Sequence, residues 1–159
     1  MTRSLQKQSM EKAWKLARNR DGSAMVEFAI GSGLLIAAFA GTFQFGYTFL
    51  QYNNLENAVA RGARYASLVP YDSATTTYSD AFGTAVKNMV LYGSPTAGTS
   101  PVLPGLTTSN VNLTVTFTSG VPSAMTVSIT GYTINAVVGT ATVNKPKVTY
   151  TYQGIWSPI

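Results

Sequence analysis

The chain contains no cysteine and no histidine. Without cysteine there is no disulfide framework and no thiolate metal site, although the redox compartment stays open. Without histidine the commonest general base and the best imidazole ligand for transition metals are both missing. Carboxylates are scarce as well: after residue 22 only Glu27, Glu56, Asp72 and Asp80 remain. None of the many serines has a histidine to activate it, and no Ser/Lys arrangement stands out. These absences argue against an enzyme and imply neither a cofactor nor a catalytic metal.

The charge that is present is unevenly placed. The net charge is +5, and most of it lies in residues 1–22, where Arg3, Lys7, Lys12, Lys15, Arg18 and Arg20 face only Glu11 and Asp21. A basic balance raises the question of nucleic acid. Here the surplus directly precedes an apolar run, where the positive-inside rule accounts for it, so no nucleic-acid partner is expected.

That run, Phe28–Leu50, carries no charge and no proline. As a helix it is about 34 Å long, enough to cross the hydrocarbon core of a bilayer. It ends among Phe43, Phe45, Tyr47, Phe49 and Tyr52, aromatics suited to a membrane–water interface. The helical period then continues. Leu55, Val59, Gly62, Ala66 and Val69 recur on one face, with Asn54, Asn57, Arg61 and Arg64 in a polar stripe beside them. Pro70 stops it, which predicts one helix over residues 23–69 with a membrane segment at 28–50.

Residues 70–159 read as an exported, Thr-rich α+β domain. Residues 71–79 form a loop, and Asp80 is a candidate N-cap for a short helix with Phe82, Ala85, Val86 and Met89 on one face and Gly93 at its end. Residues 94–105 are a Pro/Gly/Ser-rich connection. From Val111 the period becomes two: Val111, Leu113, Val115 and Phe117 on one face, then Met125, Val127 and Ile129, with Gly120–Ser123 as the hairpin connection. YTINAVV and KVTYTY are further strand candidates in an antiparallel sheet.

The junction of the basic leader and the apolar run reads Gly22-Ser23-Ala24-Met25-Val26-Glu27-Phe28-Ala29. A lone carboxylate at the edge of an apolar helix costs up to about 3 kcal/mol if inserted deeply. On these residues the junction resembles the processing site of type IV-like prepilins, and more closely the TadE-like proteins of the Tad (Flp) tight-adherence pilus system. The stretch Ala58-Val59-Ala60-Arg61-Gly62-Ala63-Arg64-Tyr65-Ala66 is similar to that family's amphipathic continuation. Ser23, where conventional type IV pilins carry Phe, suits the Tad branch. The chain is much longer than Flp-type major pilins, which points to a minor pilin or pseudopilin.

The resemblance implies a pilin-like fold and cleavage by a prepilin peptidase between Gly22 and Ser23. It also implies a role for Glu27 in neutralising the new α-amino group, in the same or a neighbouring subunit. The partners it implies are the peptidase, other pilin subunits and an inner-membrane assembly platform. The leader would be cytoplasmic, the anchor in the inner membrane, and the C-terminal domain periplasmic or on a surface pilus. Ala29, Gly33, Ala37 and Gly41 recur every four residues and let helices approach closely in the small-xxx-small manner.

Two other readings stay open: a bitopic binding protein that does not polymerise, and a secreted binding module released by signal peptidase after Ala40, within Ala38-Phe39-Ala40. Asp72 and Asp80 are weak Ca²⁺ candidates without EF-hand spacing and suit loop and cap roles better. Asn112-Leu113-Thr114 is a formal glycosylation sequon in an expected strand, and Gly31-Ser32-Gly33 lacks the lysine of a phosphate loop.

Overall fold

The computed structural model describes residues 10–11, 20–136 and 139–157. Most of the basic leader, with Arg3, Lys7, Lys12, Lys15 and Arg18, lies outside the described residues, as do Val137 and Val138 of the third strand candidate. The chain forms two compact units, Met1–Phe43 and Gln44–Ile159.

Helix α1 runs without interruption over Arg20–Leu68. It begins three residues before the expected start, so the Gly22–Ser23 bond lies inside its first turns. The helix stops just before Pro70, as the sequence dictates.

In the first unit the large side chains from Met25 to Phe39, among them Phe28, Ile30, Leu34, Leu35 and Ile36, are exposed. A helix apolar on every side and uncovered needs either lipid or other helices around it. By length and composition, α1 contains a segment able to cross a membrane. Its aliphatic hydroxyls are satisfied internally: Ser32 donates to the Ala29 carbonyl at 3.0 Å, Thr42 to Ala38 at 3.0 Å and Thr48 to Gln44 at 2.9 Å. In hydrocarbon, where water offers no alternative, this back-bonding removes the penalty of a lone hydroxyl.

The second unit is built on the far half of α1. Leu55, Ala58, Val59, Ala63 and Ala66 are fully buried, while Asn54, Asn57, Arg61 and Arg64 are exposed, as the helical period requires. Helix α2 spans Asp80–Tyr92. Its N-cap is Ser79, not Asp80: the Ser79 hydroxyl accepts from the Phe82 N–H at 3.2 Å, and Asp80 is the first helical residue. Gly93 closes the helix in the left-handed conformation, φ 70°, and its N–H bonds the Met89 carbonyl. Phe82 and Val86 are buried as expected. Ala85 and Met89 are only half-buried, and the buried face instead includes Gly83, Asn88, Val90 and Leu91, with Val90 against Gly62 of α1.

A three-stranded antiparallel sheet follows, order β1-β2-β5, with β1 Val111–Thr118, β2 Val121–Ile129 and β5 Lys147–Thr151. A second antiparallel pair joins β3 Tyr132–Ala136 to β4 Gly139–Val143. The β1–β2 turn is tighter than expected: Ser119 and Gly120, both at positive φ (54° and 82°), join Thr118 to Val121. Two consecutive positive-φ residues match the twist of flanking strands. Pro122 then lies within β2, where the register shifts between Thr116 and Phe117, a bulge that takes up Ser123. The β1 face of Val111, Leu113 and Val115 is buried, with Met125, Val127 and Ile129 opposite.

Two parts of the core were not expected from the local pattern. Leu103, in the Pro/Gly-rich connection, and Leu106, just after it, are buried, and Val102 N–H reaches back to the Leu91 carbonyl at 2.7 Å. Tyr71, in the loop after α1, is fully buried at the centre of an aromatic node with Phe82, Phe117 and Tyr152. A parallel bridge pairs Tyr71 with Trp156: Tyr71 N–H bonds the Ile155 carbonyl and Ser157 N–H bonds the Tyr71 carbonyl, each at 3.0 Å. The Tyr152 hydroxyl accepts from the Tyr71 N–H at 2.9 Å and lies within donating distance of the carbonyls of Ile155 (2.8 Å) and Val69 (3.1 Å).

This node yields two expectations. Tyr152→Phe removes the hydroxyl that ties the end of α1 to the C-terminal segment, and should cost about 1–2 kcal/mol. Thermal unfolding of the full chain in detergent would read this as a melting point lowered by several degrees; an unchanged melting point would show that the hydroxyl adds nothing. Burial also raises the pKa of Tyr71, Tyr132 and Tyr152 above the ordinary tyrosine value. Above about pH 10 the unfolded chain loses these protons while the folded chain keeps them, so unfolding becomes easier. Stability should therefore be fully present below about pH 10 and fall as pH rises through the folded values. Denaturant midpoints across that range would check it, and Tyr132→Phe should flatten the decline.

Candidate functional site

The junction that stood out in the sequence occupies the first turns of α1. Gly22, Ser23 and Glu27 follow one another on a continuous helix, and the four-residue spacing puts Ser23 and Glu27 on one face. The Ser23 hydroxyl donates to Glu27 Oε1 at 3.3 Å. Both residues are exposed, so this bond carries little stability by itself. It shows that the backbone nitrogen of residue 23 and the Glu27 carboxylate belong to adjacent turns of one helix. Gly22 has open space where a Cβ would be.

One turn further on, Ala29, Gly33, Ala37 and Gly41 are all exposed, and a Cβ at Gly33 or Gly41 would meet nothing within 4 Å. Residues at this spacing drift slowly around a helix and form an i±4 ridge. The ridge is shallow, so a second helix backbone can approach it closely, and in lipid such an approach is driven by van der Waals packing. The Ala38-Phe39-Ala40 motif falls in the middle of the same uninterrupted helix.

In the second unit Gly62 fills a different role from that ridge. A Cβ built there would collide with Val90 Cγ2 and lie 3.6 Å from the Val86 carbonyl oxygen. The glycine is therefore what lets α1 and α2 meet backbone to side chain. Its helical period placed it on the buried face, but only the crossing of the two helices makes its missing side chain essential.

Two of the remaining polar candidates, Asp72 and Asn112, have structural partners. Asp72 Oδ2 accepts from the Ser79 hydroxyl at 2.6 Å and so holds the N-cap of α2 in place, while Asp72 Oδ1 is buried without a hydrogen-bond partner. Asp80 is exposed. Among the described residues, no three His, Cys, Asp or Glu side chains gather as a metal site. Asn112 donates through Nδ2 to the Thr130 hydroxyl at 2.7 Å from within β1.

Sequence reading missed a polar groove of about 560 Å³, lined by Asn54, Asn57, Ala60, Arg61, Arg64, Val102 and Tyr150. The stripe on α1 was legible. That Tyr150 and Val102 form its other wall depends on chain segments brought together by folding.

Comparison of the whole chain with curated proteins and with solved structures yields no match. The stretch that holds Gly22, Ser23, Glu27, the small-residue ridge and Gly62 does have a counterpart: residues 22–64 match the model of the TadE-like protein family, the family that the Gly22–Ala29 junction resembles.

Proposed function

We propose that this protein is a structural subunit, a minor pilin or pseudopilin, of a Tad-type pilus, anchored by α1 in the inner membrane until it is assembled. The observation that carries the reading is the TadE-like match over residues 22–64, which ends within the amphipathic half of the same helix. A prepilin peptidase would cut between Gly22 and Ser23, removing the basic leader and making Ser23 the new N-terminus. The new α-amino group would then lie four residues, about one helical turn, from the Glu27 carboxylate. In an apolar helix bundle such a pair is favourable only when both charges are present, so it rewards correct register between subunits.

The exposed apolar half of α1 supports assembly through helix packing, with Ala29, Gly33, Ala37 and Gly41 as the close-approach ridge. Other pilin subunits and an inner-membrane assembly platform are the partners. The domain after Pro70 would face the periplasm and then the pilus surface. Its role is to be displayed; the chemistry of the chain supports no catalytic step.

Glu27→Ala tests the assembly role. The variant should remain in the membrane fraction but drop about tenfold or more in sheared surface filaments, because an α-amino group left without a counter-charge in the bundle is strongly unfavourable. Equal amounts of wild type and variant in the filaments would exclude Glu27 from assembly.

A further inference from the structure

We propose that the groove between the polar stripe of α1 and β5 binds an acidic glycan, a sugar polymer bearing carboxylates. Arg61 and Arg64 stand three residues apart on one exposed face of α1, in line with Asn54 and Asn57. The opposite wall is Tyr150 and Val102, 39 % and 45 % exposed. No Asp or Glu lines the groove, so the two guanidinium groups meet no carboxylate there. A second, smaller depression shares Arg64 and Tyr150 and continues past Ser67, Thr151 and Gln153, again without an acidic residue. The two together form a track of cations, amides, the Thr151 hydroxyl and one open aromatic ring, with Val102 and Leu68 beside them; the buried Ser67 hydroxyl is already bonded to the Arg64 carbonyl.

Each feature selects part of the ligand. Planar guanidinium groups recognise carboxylates in a forked geometry. Side-chain amides and hydroxyls match the alternating donors and acceptors of sugar hydroxyls. The exposed Tyr150 ring gives a rigid, flat apolar surface of the kind that packs against a pyranose ring. The size falls in the range of small-ligand sites.

Other anions fit less well. A second copy of this unit is an unsuitable occupant, since Gln44–Ile159 has five basic residues against three acidic ones and like charges repel. Lipid headgroups are out of reach if the membrane segment ends at Leu50. Arg61 and Arg64 then lie about 16 and 21 Å further along the helix, beyond a headgroup layer of about 5–8 Å. Only this last point rests on the anchoring proposed above. An acidic peptide could pair with β5, the edge strand of its sheet. It lacks the ring faces and sugar hydroxyls that Tyr150, Asn54 and Asn57 would take up, and the hexaglutamate arm below separates the two.

The test uses the full chain in neutral detergent, titrated calorimetrically with trigalacturonate, maltotriose and a hexaglutamate peptide. Trigalacturonate should bind with an affinity that falls as salt is raised, at least about tenfold more tightly than either of the other two. Arg61→Gln and Arg64→Gln should each weaken it about tenfold, with unchanged melting points because both side chains are exposed. Equal binding of maltotriose, equal binding of hexaglutamate, no trigalacturonate binding up to about 10 mM, or arginine variants with wild-type affinity would each overturn the proposal. Leader cleavage and filament incorporation are scored separately, so a failure of the pilin reading and a failure of this one are distinguishable.

Discussion

Gly22→Leu is expected to leave the basic leader on the chain. In cells with an active prepilin peptidase, the wild-type protein should lose the mass of residues 1–22, and the variant should keep it. The argument combines sterics with helix stability. Gly22 lies inside α1 with open space around it, and a peptidase acting after it must reach the backbone and open the local helix. Glycine favours that opening by about 1 kcal/mol relative to a good helix former. Leucine reverses the preference and puts a branched side chain at the bond to be cut. Gly22→Ala should be processed more slowly than wild type, which separates the two contributions. Intact-mass measurement of membrane fractions reads all three outcomes. Wild-type chains cut after Ala40, or not cut at all, would favour the secreted or the bitopic reading instead, and full maturation of Gly22→Leu would exclude Gly22 as the processing determinant.

The second large effect concerns stability, and it lies 40 residues along the same helix. Gly62→Leu should prevent the second unit from folding. The Cβ alone collides with Val90 Cγ2, and Val90 is fully buried in the core. Overpacking by a methylene or two costs about 1–3 kcal/mol in a dense core. Leucine adds far more volume, in a protein whose whole stability is expected to be about 5–15 kcal/mol. Gly62→Ala is the graded version: the clash is offset by the roughly 1 kcal/mol that alanine gains in a helix, and the melting point should drop by several degrees. Val90→Ala makes space for the new methyl group, so the double variant Gly62→Ala/Val90→Ala should be more stable than the sum of its parts predicts. Additive melting points would mean that the two side chains do not compete for one site.

The two glycines illustrate what could be read without coordinates. Both occur in motifs visible in the sequence, Gly22 at the close of a basic leader and Gly62 within a helical repeat. Only Gly22 carried an expected role, and the processing proposed for it rests on its immediate neighbours along the chain. Gly62 acts against Val90, on another helix. The same division holds for the turn residues. Ser119 and Gly120 form the β1–β2 turn, whereas the expected connection was Gly120–Ser123, and Val121–Ser123 belong to β2 instead. A bulge takes up Ser123, and a bulge is a property of two paired strands. The helix α2 boundary shifted by one residue for a related reason: Ser79 and Asp80 are both good caps, and the bond from Ser79 to Asp72 favours the first.

The β4 strand, Gly139–Val143, was not anticipated. Its residues are mostly small, Thr-rich and exposed, so no apolar alternation marked it. It is a strand because β3 lies beside it, with Tyr132 opposite Val143 and Ile134 opposite Ala141. Cross-strand neighbours, more than intrinsic preference, decide such segments.

By itself the sequence determined the long helix, its apolar and amphipathic halves, the order of helix before sheet, and the Gly22–Glu27 junction. Each rests on residues within a turn or two of one another, where period, charge and the 1.5 Å rise of a helix are enough. The tertiary structure alone decided that Tyr71 is a core residue tied to Trp156, that Leu103 and Leu106 fill space from within a loop, and that Arg61 and Arg64 share a groove with Tyr150. These pairings join residues tens of positions apart. Their partners are chosen by volume and hydrogen bonding in the assembled core, and no local pattern along the chain records that choice.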